Sequence, residues 1–569
     1  MNENLIPGSV DSDLLGFLLD SPQYAEDDVI LSFFGAETSF GEFKRRVFGI
    51  AKRLLGLGLK SGDRVMISLI STPESIELMY ACSYLGIVPV LADLRLSLAE
   101  NMALCEETGA RLAFISDFRA CELLDISRVP CVEKLVIVSV CDGISQALYA
   151  LQKTWYLLKN NPYFIKKHFN NKVWEWKRFM AVSPSDLPLA EGASGEGELL
   201  FTTSGTTGKR KYVILTSKQI NLEVWQHMIR FDFKTPRTAM SVMPLFTCYG
   251  FAISVHLPLA CGMKLILHPV YEARSLPRAV LKYKPNFFAG VIGHFEELAA
   301  YKKAAGEDLS YLKLMIFGGD SCSRERLEAV NSFLAAHGCG AKLLQGYGMT
   351  EVTSGAVTQD PDRYVSASVG RPLPLTRICI TAPGTANPLP IGQKGEVCLN
   401  TPCASKGYFN NPAATERLIK THADGLEWIH SGDLGWLDED GNLYVEGRIK
   451  SMTVSSSGTK LFLPLLQTAA AKRTGGRCIA FALPDKRLDY IKHIVLFAAP
   501  KPGARRIAHM RRLKTELRRE LPLYLLPERI VFLRRIPLNS AGKTDMQKLE
   551  RLAEEAVGGR KHIGNRRLK

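Results

Sequence analysis

The chain has 569 residues, 46% hydrophobic and 23% charged, with a formal net charge of +15. Such a composition excludes a disordered or fibrous protein, and the length exceeds one ordinary core, so two or more domains are expected. No apolar run reaches the length of a spanning helix, and the N-terminus lacks the basic and apolar regions of a secretory signal. The 13 cysteines are scattered, without a CxxC pair or a zinc-like His/Cys spacing. They read as reduced, mostly buried thiols of a cytoplasmic protein.

Apolar strands alternate with amphipathic helical patterns through the first 350 or so residues. GDRVMISL is followed by the helical TPESIELMYACSYLG and the apolar IVPVL; TAMSVMP, KLIL, NFFAGVI, LKLMIFGG and AKLLQGYG come later, with helical segments such as SRERLEAVNSFLAAHG between strands. This alternation predicts an α/β fold with largely parallel sheets. Within it, a segment at about 141–185 is dense in Trp, Tyr, Phe and Lys. It suits a peripheral membrane or lipid-handling surface, and equally an insertion whose aromatics pack on the domain. From about Arg371 to Gly447, Gly and Pro become frequent and strands shorten (GEVCLN, GNLYVEG), which predicts a small β-rich subdomain. The domain expectation is therefore 1–447 and 448–569, with a hinge at Gly447–Ser451. Residues 501–569 carry 19 Lys/Arg against 7 Asp/Glu, so most of the excess charge lies there. A basic surface attracts nucleic acid, anionic lipid or a phosphorylated ligand; a solvated helical face such as RRLKTELRRE is the plain alternative, and no nucleic-acid motif accompanies it.

Four motifs carry chemistry. The first is LLFTTSGTTGKRKYVILTSKQI, Leu199 to Ile220, a strand running into a Ser/Thr/Gly/Lys loop with a helix expected behind it. Such a loop wraps a polyphosphate: glycines admit the anion to the backbone, hydroxyls and N–H groups donate, lysines balance charge. It lacks the GxxxxGK[ST] of a Walker A loop. The second, QGYGMTEVTS, follows a strand, where loop residues face a ligand crevice; Tyr347 offers a flat face for a base and Glu351 a carboxylate for a hard cation. The third, WIHSGDLGWLDEDGNLYVEGR, offers Asp433 to ribose hydroxyls and Arg448 to an anion. The fourth, IPLNSAGKTDMQKL, sets Lys543 in a Gly-led loop.

In this order and spacing the motifs resemble the adenylate-forming superfamily of acyl-CoA synthetases, peptide-synthetase adenylation domains and beetle luciferases, over nearly the whole chain. The resemblance implies a large N-terminal domain with two mainly parallel α/β sheets and a small β-rich subdomain, plus a small mobile C-terminal α+β domain. It implies that Thr203, Ser204, Gly205, Thr206, Thr207 and Gly208, with Lys211, hold the β- and γ-phosphates of ATP. Gly318, Gly319 and Asp320, with Gly346, Tyr347 and Gly348, line the adenine slot. Thr350 touches the α-phosphate, Glu351 holds Mg²⁺, Asp433 and Arg448 grip the ribose, and Lys543 bridges carboxylate and α-phosphate. A carboxylic acid becomes an acyl-adenylate and pyrophosphate leaves. The tail domain then rotates so that a thiol, that of CoA or of a carrier-protein phosphopantetheine, attacks the activated carbonyl.

Departures matter as much. Arg210 and Tyr212 stand where the family loop has proline and glycine. Ser451, Thr459, Leu466 and Thr468 replace an acid, a glycine and two glutamates around the hinge, on the face that normally forms the pantetheine tunnel, which makes CoA a less secure expectation than adenylation. No carboxylate occurs from Met243 to Gly262, so a free amino acid is disfavoured. The expected acyl pocket (Cys248, Tyr249, Gly250, Gly290, Ile292, His294 and Gly319) is small or apolar apart from His294, and with the aromatic insert it favours a fatty acid. A non-catalytic binding relative is the competing reading; Lys211, Glu351, Asp433, Arg448 and Lys543 argue against it.

Overall fold

The computed structural model describes residues 7–20, 24–94, 96–140, 142, 171–182, 192, 196–203, 210–233, 237–268, 275–319, 322–449, 452–454, 460–485, 488–499, 513–514, 516–517, 521, 526–539 and 544–557. The chain divides into two compact units: Met1–Cys379 with Cys398–Ser431 and Asp440–Leu443, and Ile380–Val397 with Gly432–Glu439 and Tyr444–Lys569.

The first unit contains two large sheets. One has nine strands, in the order Arg371–Pro372, Val357–Thr358, Leu343–Tyr347, Leu314–Phe317, Phe287–Gly290, Thr238–Ser241, Lys264–Leu267, Val29–Phe33 and Ala36–Ser39. The six strands from Leu343–Tyr347 to Val29–Phe33 are mutually parallel. The other has seven strands, in the order Val173–Glu175, Lys134–Val138, Leu112–Ser116, Arg64–Ser68, Val88–Leu91, Glu198–Thr203 and Lys211–Thr216, all parallel except the last. Parallel strands covered on both faces read as continuous apolar runs, and Leu112–Ser116 and Phe287–Gly290 are buried at every position. The helices between them begin at sequence-legible caps. Thr72 and Ser75 form a capping box ahead of Pro73–Leu85, and Ser97 and Glu100 form one ahead of Leu98–Thr108, each satisfying N–H groups that the first turn leaves without partners.

A further sheet joins Arg377–Thr381, Gly395–Asn400, Glu427–Leu437 and Ile419–Thr421, with Leu443–Arg448 also paired to Glu427–Leu437. These are the short strands expected after Arg371. In the second unit, Arg477–Asp485 and Leu488–Ala499 pair antiparallel, and Arg529–Phe532 adds in parallel. The helices Leu463–Thr474 and Met546–Val557 bury apolar residues against these strands, making an α+β arrangement.

Most of the aromatic segment, residues 143–170, lies outside the described residues, and with it the expected membrane contact. Its end is part of the seven-stranded sheet: Val173–Glu175 is the edge strand, and Trp174, Trp176 and Phe179 are buried. Phe179 packs edge-on against Phe114 at 5.4 Å. These three aromatics serve the core. No helix among the described residues is long and apolar enough to cross a membrane.

Candidate active site

The strands that flank the expected polyphosphate loop are antiparallel neighbours. Glu198–Thr203 leads in, Lys211–Thr216 leads out, and Thr203 pairs opposite Lys211. The helix expected directly behind the loop starts only at Ser217, because YVIL continues as a β-rich run and Thr216 caps the helix by accepting from the Gln219 N–H. Ser204, Gly205, Thr206, Thr207 and Gly208 lie outside the described residues. The outgoing arm is fastened by the two departures from the family pattern. The Arg210 guanidinium meets Glu100 Oε1 at 2.9 Å, and the Tyr212 hydroxyl donates to Glu107 Oε2 at 2.5 Å. Both glutamates lie on the helix Leu98–Thr108, seven positions apart and so on one face. The ring of Tyr212 is buried in the apolar layer beneath the sheet.

The second set of candidates gathers at the carboxyl ends of two adjacent strands of the parallel part of the nine-stranded sheet, where an α/β sheet offers its crevice. Gly318 and Gly319 follow Leu314–Phe317, while Gly346 and Tyr347 end Leu343–Tyr347. Asp320 lies outside the described residues. At Gly348 the chain turns so tightly that an added Cβ meets the Ser354 carbonyl oxygen at 1.8 Å, so only glycine fits. Thr350 and Glu351 open the short 3₁₀ turn Thr350–Val352. Thr353 follows with φ +69°, a conformation costly for a β-branched residue, held by its hydroxyl donating to the Cys403 carbonyl at 2.7 Å. The turn is thus fixed in one strained geometry, with Glu351 at its centre.

Glu351 is buried, and its Oε1 accepts from the Tyr408 hydroxyl at 2.6 Å. The Lys211 ammonium lies over the face of the same ring, 4.3 Å from its centroid. One side chain therefore links the proposed cation ligand to the lysine of the phosphate loop. Sequence reasoning missed Tyr408; its only local signal is the Gly-Tyr lead-in to the Asn-Asn-Pro turn of GYFNNP. A hydrogen bond to a charged group contributes about 1.5–3 kcal/mol. Tyr408→Phe is therefore expected to slow acid-dependent ATP–pyrophosphate exchange roughly tenfold or more and to raise the Mg²⁺ requirement. An unchanged rate and Mg²⁺ dependence would contradict this role.

The acyl-pocket candidates also meet at these strand ends. Cys248 and Gly250 are buried in the turn Cys248–Phe251, capped by Thr247. The Tyr249 hydroxyl lies 3.1 Å from the Gly290 carbonyl oxygen and 3.3 Å from that of Ile316, tying two strand ends together. Ile292 and His294 are buried in the helix Ile292–Ala299. His294 stacks on Phe288, and its Nδ1 accepts from the Val291 N–H at 3.3 Å. Burial pushes its pKa down to about 4, so it is neutral at working pH. Burial likewise pushes the Cys248 thiol up, and does the same to the nearby carboxyl of Glu223, which accepts from the Gly355 N–H at 2.6 Å. Cys248, Tyr249, Ile292 and His294 themselves bring no carboxylate to the pocket. His294→Gln is expected to alter the KM for the acid while leaving the pH profile between about pH 5 and 8 in place; a displaced acidic limb would show that His294 titrates there.

In the second unit, Asp433 is buried on Glu427–Leu437, and the exposed Arg448 meets its Oδ1 through Nε at 3.0 Å. The two expected ribose residues thus pair with each other within that unit. Gly447, just ahead of Arg448, has φ +141°, which favours glycine. Leu466, standing where relatives carry a glutamate, is a fully buried core residue of the helix Leu463–Thr474, while Thr468 is exposed. Lys543, Ser451 and Thr459 lie outside the described residues.

The fold is that of known adenylate-forming enzymes. The chain superposes on an anthranilate CoA ligase in complex with anthranoyl-AMP (TM-score 0.80, 19% identity, covering 98% of this chain and 100% of that one). It also superposes on ATP-bound MatB from Rhodopseudomonas palustris (TM-score 0.79, 18% identity, 96% and 99%). The model of the AMP-binding enzyme family matches residues 20–409, and the chain belongs to that family. Among curated relatives, a feruloyl-CoA synthase from Amycolatopsis sp. is 25% identical over 517 residues, covering 90% of this chain and 92% of its own length. A long-chain-fatty-acid–CoA ligase from Bacillus subtilis (strain 168) is 23% identical over 551 residues, 94% of each. The superfamily resemblance stands, and with it the assignment of the protein as an enzyme of the ligase class.

Proposed function

We propose that this enzyme uses ATP to convert a carboxylic acid into an acyl-adenylate, releasing pyrophosphate, and then transfers the acyl group to the thiol of CoA. The observation that carries the reading is the Lys211–Tyr408–Glu351 array, an ammonium and a buried carboxylate held by one phenol. The phosphate-loop residues Thr203 to Gly208, with Lys211, would hold the β- and γ-phosphates. The strand-end residues Gly318 to Asp320 and Gly346 to Gly348 would hold the base. Glu351 and Thr350 present hard oxygen donors, the set that suits Mg²⁺. When bound there, Mg²⁺ would neutralise charge on the transferred phosphate. Asp433 and Arg448 would serve the ribose.

A carboxylate is a weak nucleophile and is repelled by the triphosphate. Lys543, presenting an ammonium to both the carboxylate and the α-phosphate, would offset that repulsion and the charge that builds on the phosphorus. For thioester formation we propose a hinge at Gly447–Ser451, the positive φ of Gly447 being the support. CoA as the acceptor rests on relatives that are CoA ligases. One structural neighbour is an amide bond synthetase, from Marinactinospora thermotolerans, so an amine acceptor is the alternative.

Within the carboxylic acids we propose a fatty acid. The support is the wall formed by Cys248, Tyr249, Ile292 and His294, none of which carries a carboxylate to meet the ammonium of an amino acid. Aryl acids fit the same wall, and both feruloyl- and fatty-acid ligases are among the relatives. Exchange assays with fatty, aryl and amino acids separate these classes. Stimulation by amino acids alone would overturn the pocket argument. Mass spectrometry of the product formed with CoA present identifies the acceptor.

A further inference from the structure

Cys398, His422 and His430 are all buried in the first unit, on the strand Gly395–Asn400, just past Ile419–Thr421 and on Glu427–Leu437 respectively. One donor atom from each lies within 4.8 Å of the other two. His422 Nε2 is 3.0 Å from His430 Nε2, and Cys398 Sγ is 3.5 Å from His430 Nδ1. The His422 ring is held in place by stacking on Trp428 at 5.3 Å and 17°, and the Trp428 indole N–H is in turn fixed on Asp424. None of these groups has a part in carboxylate activation as described above.

We infer that this trio is a binding site for a zinc-class divalent transition ion. One thiolate and two neutral imidazoles are the borderline-soft donors that such ions select, and three protein ligands leave a fourth position for water. Binding releases one proton, from the Cys398 thiol, while each imidazole keeps its ring proton on the nitrogen that does not ligate. The ion staples the hairpin of Ile419–Thr421 and Glu427–Leu437 to the neighbouring strand Gly395–Asn400. It stiffens the strand that carries Asp433 three positions beyond His430. The competing account is a neutral relay, with the thiol donating to His430 and His430 donating to His422. It satisfies the same atoms without metal.

The full-length protein, reduced and stripped of metal, is titrated with Co²⁺ while the tetrahedral ligand-field bands and the thiolate-to-cobalt charge-transfer band are recorded. One equivalent is expected to produce both, and Zn²⁺ to displace it. Cys398→Ser is expected to lose the charge-transfer band. His422→Gln is expected to weaken Co²⁺ binding by more than the roughly 10- to 100-fold that loss of an outer-shell partner costs. Zn²⁺ is expected to raise the thermal transition of the wild type and not that of Cys398→Ser. A wild type without the charge-transfer band supports the relay and overturns the site, whether or not the variants fold. A band that persists in Cys398→Ser assigns the metal to other thiols and overturns it equally. ATP–pyrophosphate exchange enters neither readout, so the result stands apart from the proposed activity.

Discussion

Lys543→Ala is expected to slow acid-dependent ATP–pyrophosphate exchange by about 100- to 1,000-fold, the effect of deleting one donor aimed at charge that develops in the transition state. ATP binding is expected to survive, because the phosphates are proposed to be held by a different segment, Thr203 to Lys211. The attacking carboxylate and the α-phosphate are both anionic, and a cation touching both acts mainly where they approach. Equal exchange rates in wild type and variant would remove Lys543 from the adenylation step. A parallel loss of ATP binding would make it a nucleotide-binding residue.

Glu351→Gln is the second large effect. The amide oxygen can still accept from the Tyr408 hydroxyl, so the turn at Thr350–Val352 is expected to hold its geometry and the thermal transition to stay in place. The negative charge is lost, and with it the hard ligand for Mg²⁺. Exchange is expected to fall at least about 100-fold and to respond poorly to added Mg²⁺. Glu351→Ala also removes the hydrogen bond from the Tyr408 hydroxyl, at a cost of about 1.5–3 kcal/mol. A Gln variant as active as the wild type would mean that Glu351 serves only to hold Tyr408.

The parallel sheets and their order of motifs were readable in the sequence because strands buried on both faces leave apolar runs, as in LAFIS at Leu112–Ser116. The strand-end motif QGYGMTEVTS marked Tyr347 and Glu351 as candidates by the same pattern, whereas Gly318 and Gly346 were expected only from the family resemblance. What was not readable depends on contacts between distant residues. Tyr408 reaches Glu351 across 57 positions, and Arg210 reaches Glu100 across 110; neither pairing leaves a local pattern. The strand Lys211–Thr216 was missed because the glycine-rich loop and the later helix drew the reading, although YVIL is a strong β run. The lysines and arginines around Trp174, Trp176 and Phe179 left a surface role and packing on the domain equally open in the sequence; the rings are buried. Cys398 lies 32 positions from His430, so no ligand spacing betrays that pair.

The reading meets its most direct test in exchange of labelled pyrophosphate into ATP by the purified full-length enzyme, with Mg²⁺, across fatty, aryl and amino acids. The expected result is exchange that requires an added carboxylic acid, is greatest with fatty acids, and falls by about 100- to 1,000-fold in Lys543→Ala. No exchange with any acid, from a protein that still binds ATP, would contradict carboxylate activation at this site.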